Sequence, residues 1–180
     1  MINLDTSDIY GNAFARADEE QLRKAFQPIQ PPQVVNLIAI EAPSYGHGRY
    51  THEQIKYILT ASFTGFKAAQ ILAKKTHAMN NTSDSIESDT NRTFRTIIHT
   101  GWWGCGAYGN NRQMMLITQI LAAYWAQVDE IHFHTQNDEH KDDIEKAQEL
   151  AKKLQEIKQV DEVIEAILAL NLEWDKSNNT

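Results

Sequence analysis

Between residues 100 and 111 the chain reads Thr100-Gly101-Trp102-Trp103-Gly104-Cys105-Gly106-Ala107-Tyr108-Gly109-Asn110-Asn111. Four glycines and an alanine within nine residues remove the side chains that would hold a phosphate away from the backbone. Successive main-chain N–H groups in such a turn form a concave nest for anionic oxygens. A helix opening near Arg112 adds the positive end of its dipole. Trp102, Trp103 and Tyr108 bring flat faces suited to a ribose or a base. The chemistry indicated is recognition of a diphosphate by main chain rather than by charged side chains. The order Gly-x-x-Gly-x-Gly-x-x-Gly is not the dinucleotide fingerprint, no acidic residue follows at the ribose-binding distance, and no Gly-Lys-Ser/Thr marks a nucleoside-triphosphate loop.

Other residues invite other chemistries. Cys105 with His99 or His132 as base would be a thiol nucleophile, set against the simpler reading of a small residue fitting a tight loop. His132 and His134 share one side of a strand and, with His99, would offer imidazoles to a metal, but two histidines are a weak signal and ordinary core or surface histidines are the better reading. The Met114-Met115 and Tyr124-Trp125 pairs fit helix packing. The charged run Glu139 to Lys158 fits a solvated helix face, with docking as the alternative.

The elements that must position the loop follow from periodicity. Val34-Val35-Asn36-Leu37-Ile38-Ala39-Ile40 has the β-branched, near-continuous apolar character of a strand buried on both faces. Pro43 to Tyr50 is a loop. Thr51-His52-Glu53-Gln54 is a capping box opening a helix that ends near Met79, with Ile55, Ile58, Leu59, Ser62, Phe66, Ala69 and Leu72 on its apolar face and Gly65 as a close-packing point. The polar stretch Asn80 to Asn91 is a loop, and Thr93 to His99 is the strand that feeds the glycine loop. Arg112 to Val128 is a helix whose apolar stripe includes Met115, Ile117, Ile120, Leu121, Tyr124 and Trp125. Glu130 to Thr135 is strand-like, and Lys141 to Ile157 and Val160 to Leu172 are helical. Near the N-terminus, Tyr10 to Arg16 suits an extended segment and Asp18 to Phe26 a short helix stopped by Pro28, Pro31 and Pro32. Strands alternating with helices indicate an α/β layered domain, in which ligands sit beyond the carboxyl ends of the strands. The glycine loop leaves that end of its strand.

The 180 residues suffice for one domain with a real core. We divide them into a single domain over residues 1–174 and a flexible polar tail over 175–180. The net charge of −7, with no basic stripe, argues against duplex nucleic acid as a partner. One cysteine permits no internal disulfide, which fits a reducing, cytoplasmic setting or, for an effector, export without a cleaved signal. No signal-peptide pattern opens the chain and no apolar run reaches membrane-spanning length, so no membrane partner is expected. Nothing in the sequence calls for a cofactor.

The loop resembles that of the poly(ADP-ribose) glycohydrolases. Gly101-Trp102-Trp103-Gly104-Cys105-Gly106-Ala107-Tyr108-Gly109 is similar to their Thr-Gly-Asn-Trp-Gly-Cys-Gly-Ala-Phe-Gly-Gly. Leu37-Ile38-Ala39-Ile40-Glu41-Ala42 is similar to their Ile-Val-Ala-Ile-Asp-Ala strand. Ala61, Phe63, Gly65 and Phe66 match a helix segment, and Gln119-Ile120-Leu121-Ala122-Ala123 agrees downstream. The resemblance covers roughly Tyr10 to Thr135. It implies a macrodomain-like mixed sheet flanked by helices, with ADP-ribose or poly(ADP-ribose) as ligand. It also implies ligand-binding roles for Gly101, Trp102, Gly104, Cys105, Gly106, Ala107, Tyr108 and Gly109, the glycines, Cys105 and Ala107 acting through their backbone. Trp102 replaces an Asn and loses an amide. Tyr108 replaces a Phe. Asn110 replaces a Gly and can mimic it at positive φ. Phe14, in Tyr10-Gly11-Asn12-Ala13-Phe14, is similar to an aromatic lining the adenosine site.

Glycoside hydrolysis needs a carboxylic acid at the leaving oxygen. In the family it lies in a Gly-Gly-Gly…Gln-Glu-Glu loop that this sequence lacks. Asp18-Glu19-Glu20 is a poor substitute, because it fits the solvated first turn of a helix. No catalytic residue is therefore assigned, and two readings stand. The chain is the C-terminal half of a glycohydrolase, completed by an N-terminal segment or separate chain, or it is a non-catalytic ADP-ribose-binding or interaction module. Half of such a sheet exposes a strand edge and apolar surface. We therefore expect the chain to associate with itself or with a complementing half; a monomer in sedimentation, without exposed apolar surface, would refute this.

Overall fold

The computed structural model describes residues 3–4, 18–27, 30–32, 36–83, 95–135 and 140–177. The elements run β1 (Asn3–Leu4), α1 (Glu19–Ala25), β2 (Phe26–Gln27), α2 (His52–Ser83), β3 (Ile97–Thr100), α3 (Arg112–Ala126), β4 (Glu130–Phe133), α4 (Lys141–Leu154) and α5 (Val160–Leu168). β3 and β4 pair in parallel, Ile97 opposite Glu130 through Thr100 opposite Phe133. β1 and β2 form a separate two-residue antiparallel pair. Among the described residues the chain is an α/β domain with a small parallel sheet, as its alternating pattern implies.

α3 is the pivot. Met114 to Gln119, Leu121 to Ala123 and Ala126 are all buried, so the helix is enclosed around most of its circumference. α2 and α4 pack along it, and Val163, Ile164 and Ile167 of α5 join the same core with Trp174. A second cluster, Phe66, Ile98, Ala122, Ala123 and Ala126, seats the sheet on α3, and small residues let the strand approach. Among the polar side chains at this seam Thr100 and Gln119 are paired, while Thr96 Oγ1 has no partner among the described residues. Thr100 Oγ1 donates to Gln119 Oε1 at 2.7 Å, and Gln119 Nε2 returns to the Met115 carbonyl. Both predicted helix starts form as capping boxes: Asp18 with Gln21, and Thr51 with Gln54.

Some expectations need correction. The run predicted as a strand over 34–40 carries no strand over its described residues 36–40. Leu37 is 90% exposed, while Ile38 and Ile40 lean on Gly65 of α2. The Ile40 carbonyl accepts from Trp103 Nε1 at 3.2 Å rather than from a ladder. Apolar character demands burial but cannot name a partner edge. α2 runs on to Ser83. Its buried face fades after Gln70, leaving Leu72 exposed, and Tyr124 of α3 is also exposed. α3 stops at Ala126 because Gln127 takes the left-handed conformation (φ 61°) and returns its N–H to Ala123 and Tyr124. Tyr10 to Arg16, including Phe14, lies outside the described residues. No described helix is long and apolar enough to cross a membrane.

Gly46 tests the packing. A Cβ there would lie 2.0 Å from Trp174 Cε2, whereas one on Gly48 (φ +63°) meets nothing. Gly46→Ala must evict a buried indole and should lower the melting temperature by roughly 5–10 °C. Gly48→Ala carries only the left-handed penalty, about 1 kcal/mol. Thermal unfolding of the two variants should rank them in that order.

Candidate functional site

Both parallel strands end on the same side of the sheet, and the glycine loop leaves β3 there. Its path is fixed by turns closed within the loop: Trp103 N–H to Gly101 O, Cys105 N–H to Trp102 O, Gly109 N–H to Gly106 O and Asn110 N–H to Gly104 O. Gly104 (φ 73°) and Gly109 (φ 69°) sit in the left-handed region, where a side chain is strained. Gly104 is doubly constrained, because a Cβ would come within 2.6 Å of Ala42.

Asn110 holds the loop down. It is fully buried, and its Nδ2 donates to Pro43 O at 2.7 Å and Gly104 O at 3.0 Å. Its Oδ1 accepts from the Tyr50 hydroxyl at 3.3 Å. That hydroxyl also accepts from Asn111 N–H at 2.7 Å, and Asn111 Oδ1 caps α3 through Met114 N–H. Asn110 is not among the positive-φ residues, so it does not mimic glycine; it works through its amide. Tyr50 stacks on Trp174, ring centroids 4.7 Å apart. Burial drives the Tyr50 phenol well above its ordinary range.

The C-terminal stretch completes the frame. Trp174 N–H donates to Gly48 O, and Arg49 and Glu173 pair across an antiparallel bridge. The polar stretch from Asp175, expected as a loose tail, lies against the loop as far as Ser177. Ser177 Oγ donates to Ala107 O at 2.6 Å. A Cβ on Gly109 would strike Asp175 O at 2.8 Å.

The donors then sort themselves. Among the described residues the main-chain N–H groups of Gly104, Gly106, Ala107 and Tyr108 are unused, while those of Cys105 and Gly109 are spent within the loop. Gly109 is buried, Gly101 to Ala107 are half-buried, and Tyr108 is exposed. Trp102 has His140 at its edge, 4.9 Å between centroids, and Arg112 over its ring at 5.1 Å. Trp103 turns inward with its N–H on Ile40 O. A surface hollow of about 420 Å³ lies beside Gln113, Asp143 and Lys153, and one of about 180 Å³ beside Tyr50, Met114 and Ile167. Neither of these is lined by the loop.

In the sequence Arg112 marks only a helix start. A cation at that position opposes the helix dipole, and this mismatch was the available signal. Tyr45, which donates its N–H to Tyr108 O at 3.4 Å, gave none.

The alternative chemistries fare worse. The Cys105 thiol donates to Trp103 O. Burial, against the opposing pull of Arg112, pushes its pKa up to about 12, so it is a poor nucleophile. His99 is engaged with His134, Nδ1 to Nε2 at 2.8 Å, and His132 with Glu130 at 2.8 Å. Among the described residues no group of three or more His, Cys, Asp or Glu is arranged to hold a metal ion. Asp18 is committed to capping α1, and Glu19 to an exposed pair with Arg23.

Comparison with known families gives a match. A family model described as poly(ADP-ribose) glycohydrolase (PARG), macro domain fold, covers residues 5–143. A search of curated proteins found no match.

The raised thiol pKa sets a pH dependence. The folded state keeps its proton to about 12, while the unfolded thiol ionises near its ordinary 9.0. Its contribution is complete below pH 9 and is lost as pH rises toward 12. Urea unfolding at pH 7.5 and pH 10 should show wild type losing more stability than Cys105→Ala. The variant retains a shallower slope from Tyr50, whose phenol shifts the same way.

Proposed function

This chain belongs to the poly(ADP-ribose) glycohydrolase family, with its macro domain fold, and we propose that its loop from Thr100 to Asn111 binds the diphosphate of ADP-ribose. The observation that carries this reading is the set of unused N–H groups at Gly104, Gly106, Ala107 and Tyr108. They lie beyond the carboxyl ends of two parallel strands, the usual ligand position in such sheets. Arg112 stands at the start of the following helix, where an anionic ligand would offset its mismatch with the dipole. The ligand rests on the loop, with Tyr108 and the indole of Trp102 flanking it. Gly101 contributes by keeping the chain close to β4, since a Cβ there would meet His134 O at 3.2 Å.

Hydrolysis of the glycosidic bond is conditional in this proposal. It requires an acid beside the scissile oxygen, and the loop is built from neutral residues. An additional segment or partner chain carrying that acid would make the assembly a glycohydrolase. Without it the chain is a binding module for ADP-ribose or its polymer.

Titration calorimetry with ADP-ribose tests the binding. We expect micromolar affinity, with inorganic pyrophosphate competing more strongly than adenosine. Failure of both ADP-ribose and pyrophosphate to bind would refute the reading. Incubation with poly(ADP-ribose) separates the two forms: release of ADP-ribose marks an enzyme, and binding without release marks a module.

A further inference from the structure

Ile98 faces the alanines of α3, so its neighbour His99 faces outward by the alternation of a strand. His132 lies opposite His99 in register, and His134 prolongs the ladder through its N–H to Thr100 O at 2.8 Å. All three imidazoles are exposed. The ring of His99 lies 5.0 Å from that of His132 and 5.1 Å from that of His134, between centroids. Spacing along the chain would couple His132 with His134, but the structure couples them otherwise. His132 Nε2 meets Glu130 Oε2 at 2.8 Å, and Glu130 also pairs with Arg95. His99 Nδ1 and His134 Nε2 face each other at 2.8 Å.

That separation has a chemical meaning. Two neutral imidazoles meeting in this way hold one proton between two ring nitrogens. With metal–nitrogen bonds of about 2.0–2.1 Å, two ligands at a right angle lie about 2.8–3.0 Å apart, and two at the tetrahedral angle about 3.3–3.4 Å. The observed spacing is the right-angled one, which belongs to the tetragonal geometry of Cu(II) and Ni(II). The geometry points to a two-histidine chelate for a divalent metal of this class on His99 Nδ1 and His134 Nε2. Among the described residues no third His, Cys, Asp or Glu completes a metal-binding group, so water fills the remaining positions. On binding, the ring that donates in the pair moves its proton to its other nitrogen. Both facing nitrogens then present lone pairs, and two neutral rings release no proton. The ion ties β3 to β4 where the glycine loop departs: His99 precedes Thr100, and a Cβ on Gly101 would meet His134 O at 3.2 Å. This site is independent of what the loop binds.

Calorimetry with Cu(II), Ni(II) and Zn(II) in a non-chelating buffer tests it on wild type, His99→Ala, His134→Ala and His132→Ala. Electron paramagnetic resonance of the Cu(II) form and melting temperatures with and without metal accompany the titrations. We expect one tight Cu(II) per chain, weaker Zn(II), and a tetragonal spectrum with two coupled nitrogens. At a hundredfold excess over Kd, Cu(II) should raise the melting temperature by roughly 5–10 °C. His99→Ala and His134→Ala should each weaken Cu(II) by at least about tenfold, since even the loss of a group behind a ligand costs roughly 10–100-fold. Without metal both should melt close to wild type, and His132→Ala should bind Cu(II) as wild type does. Absence of stoichiometric Cu(II) binding, undiminished affinity in His99→Ala or His134→Ala, or an equal loss in His132→Ala would each overturn the site.

Discussion

A single buried amide sets the shape of the loop. Asn110 reaches Pro43 O and Gly104 O with one nitrogen and the Tyr50 hydroxyl with its oxygen. Each of those groups would be costly to leave unpaired in the interior, on the order of 1–3 kcal/mol apiece. The amide thus joins the approach to α2, the glycine turn and the start of α3 at one point. Tyr50 extends the junction by accepting from Asn111 N–H, so the residue that caps α3 and the residue that pins the loop share one phenol. A polar network of this kind fixes geometry more firmly than apolar contact, because its members have directions.

The rest of the domain keeps that junction still. α3 is enclosed by α2, α4 and α5, so the helix start that follows the loop does not move independently of the core. β3 is held from beneath by Ile98 on the alanines of α3 and by Thr100 on Gln119. Asp129 closes the far end of the sheet by accepting from Thr96 N–H at 2.6 Å. The outer sheet face carries His99, Glu130 and His132 beside Ile97. There His132 donates to Glu130, and with Arg95 nearby this holds the Glu130 carboxyl below its usual range.

Much of this was legible in the residues. The capping box at Thr51 to Gln54, the strand-loop-helix order around the glycines and the α/β class follow from local pattern, and local pattern governs them. The apolar run ending at Ile40 misled, because a strand is defined by its neighbour's hydrogen bonds and Leu37 and Ile38 carry no information about which edge is open. Tyr124 misled because a helical stripe has a width that only the packing partner sets. The candidate loop was visible through its composition, yet the sorting of its N–H groups into spent and unused was not. That depends on the turns closed by Cys105 and Gly109 and on φ at Gly104, quantities fixed by contacts far along the chain. Asn110 shows this best: in sequence it reads as a turn residue, while its role comes from Pro43 and Tyr50.

Those distant contacts have an order in time. Ala107 is fastened by Ser177, 70 positions later, and Tyr50 is backed by Trp174. Translation delivers the glycines long before it delivers their fastenings. Helices α2 and α3 can dock while the ribosome is still working, but the loop between them stays unset until the stretch beyond Leu172 clears the exit tunnel. Contacts that close such long intervals form late. The glycine loop therefore takes its final shape only after the C-terminal stretch that fastens it has been made.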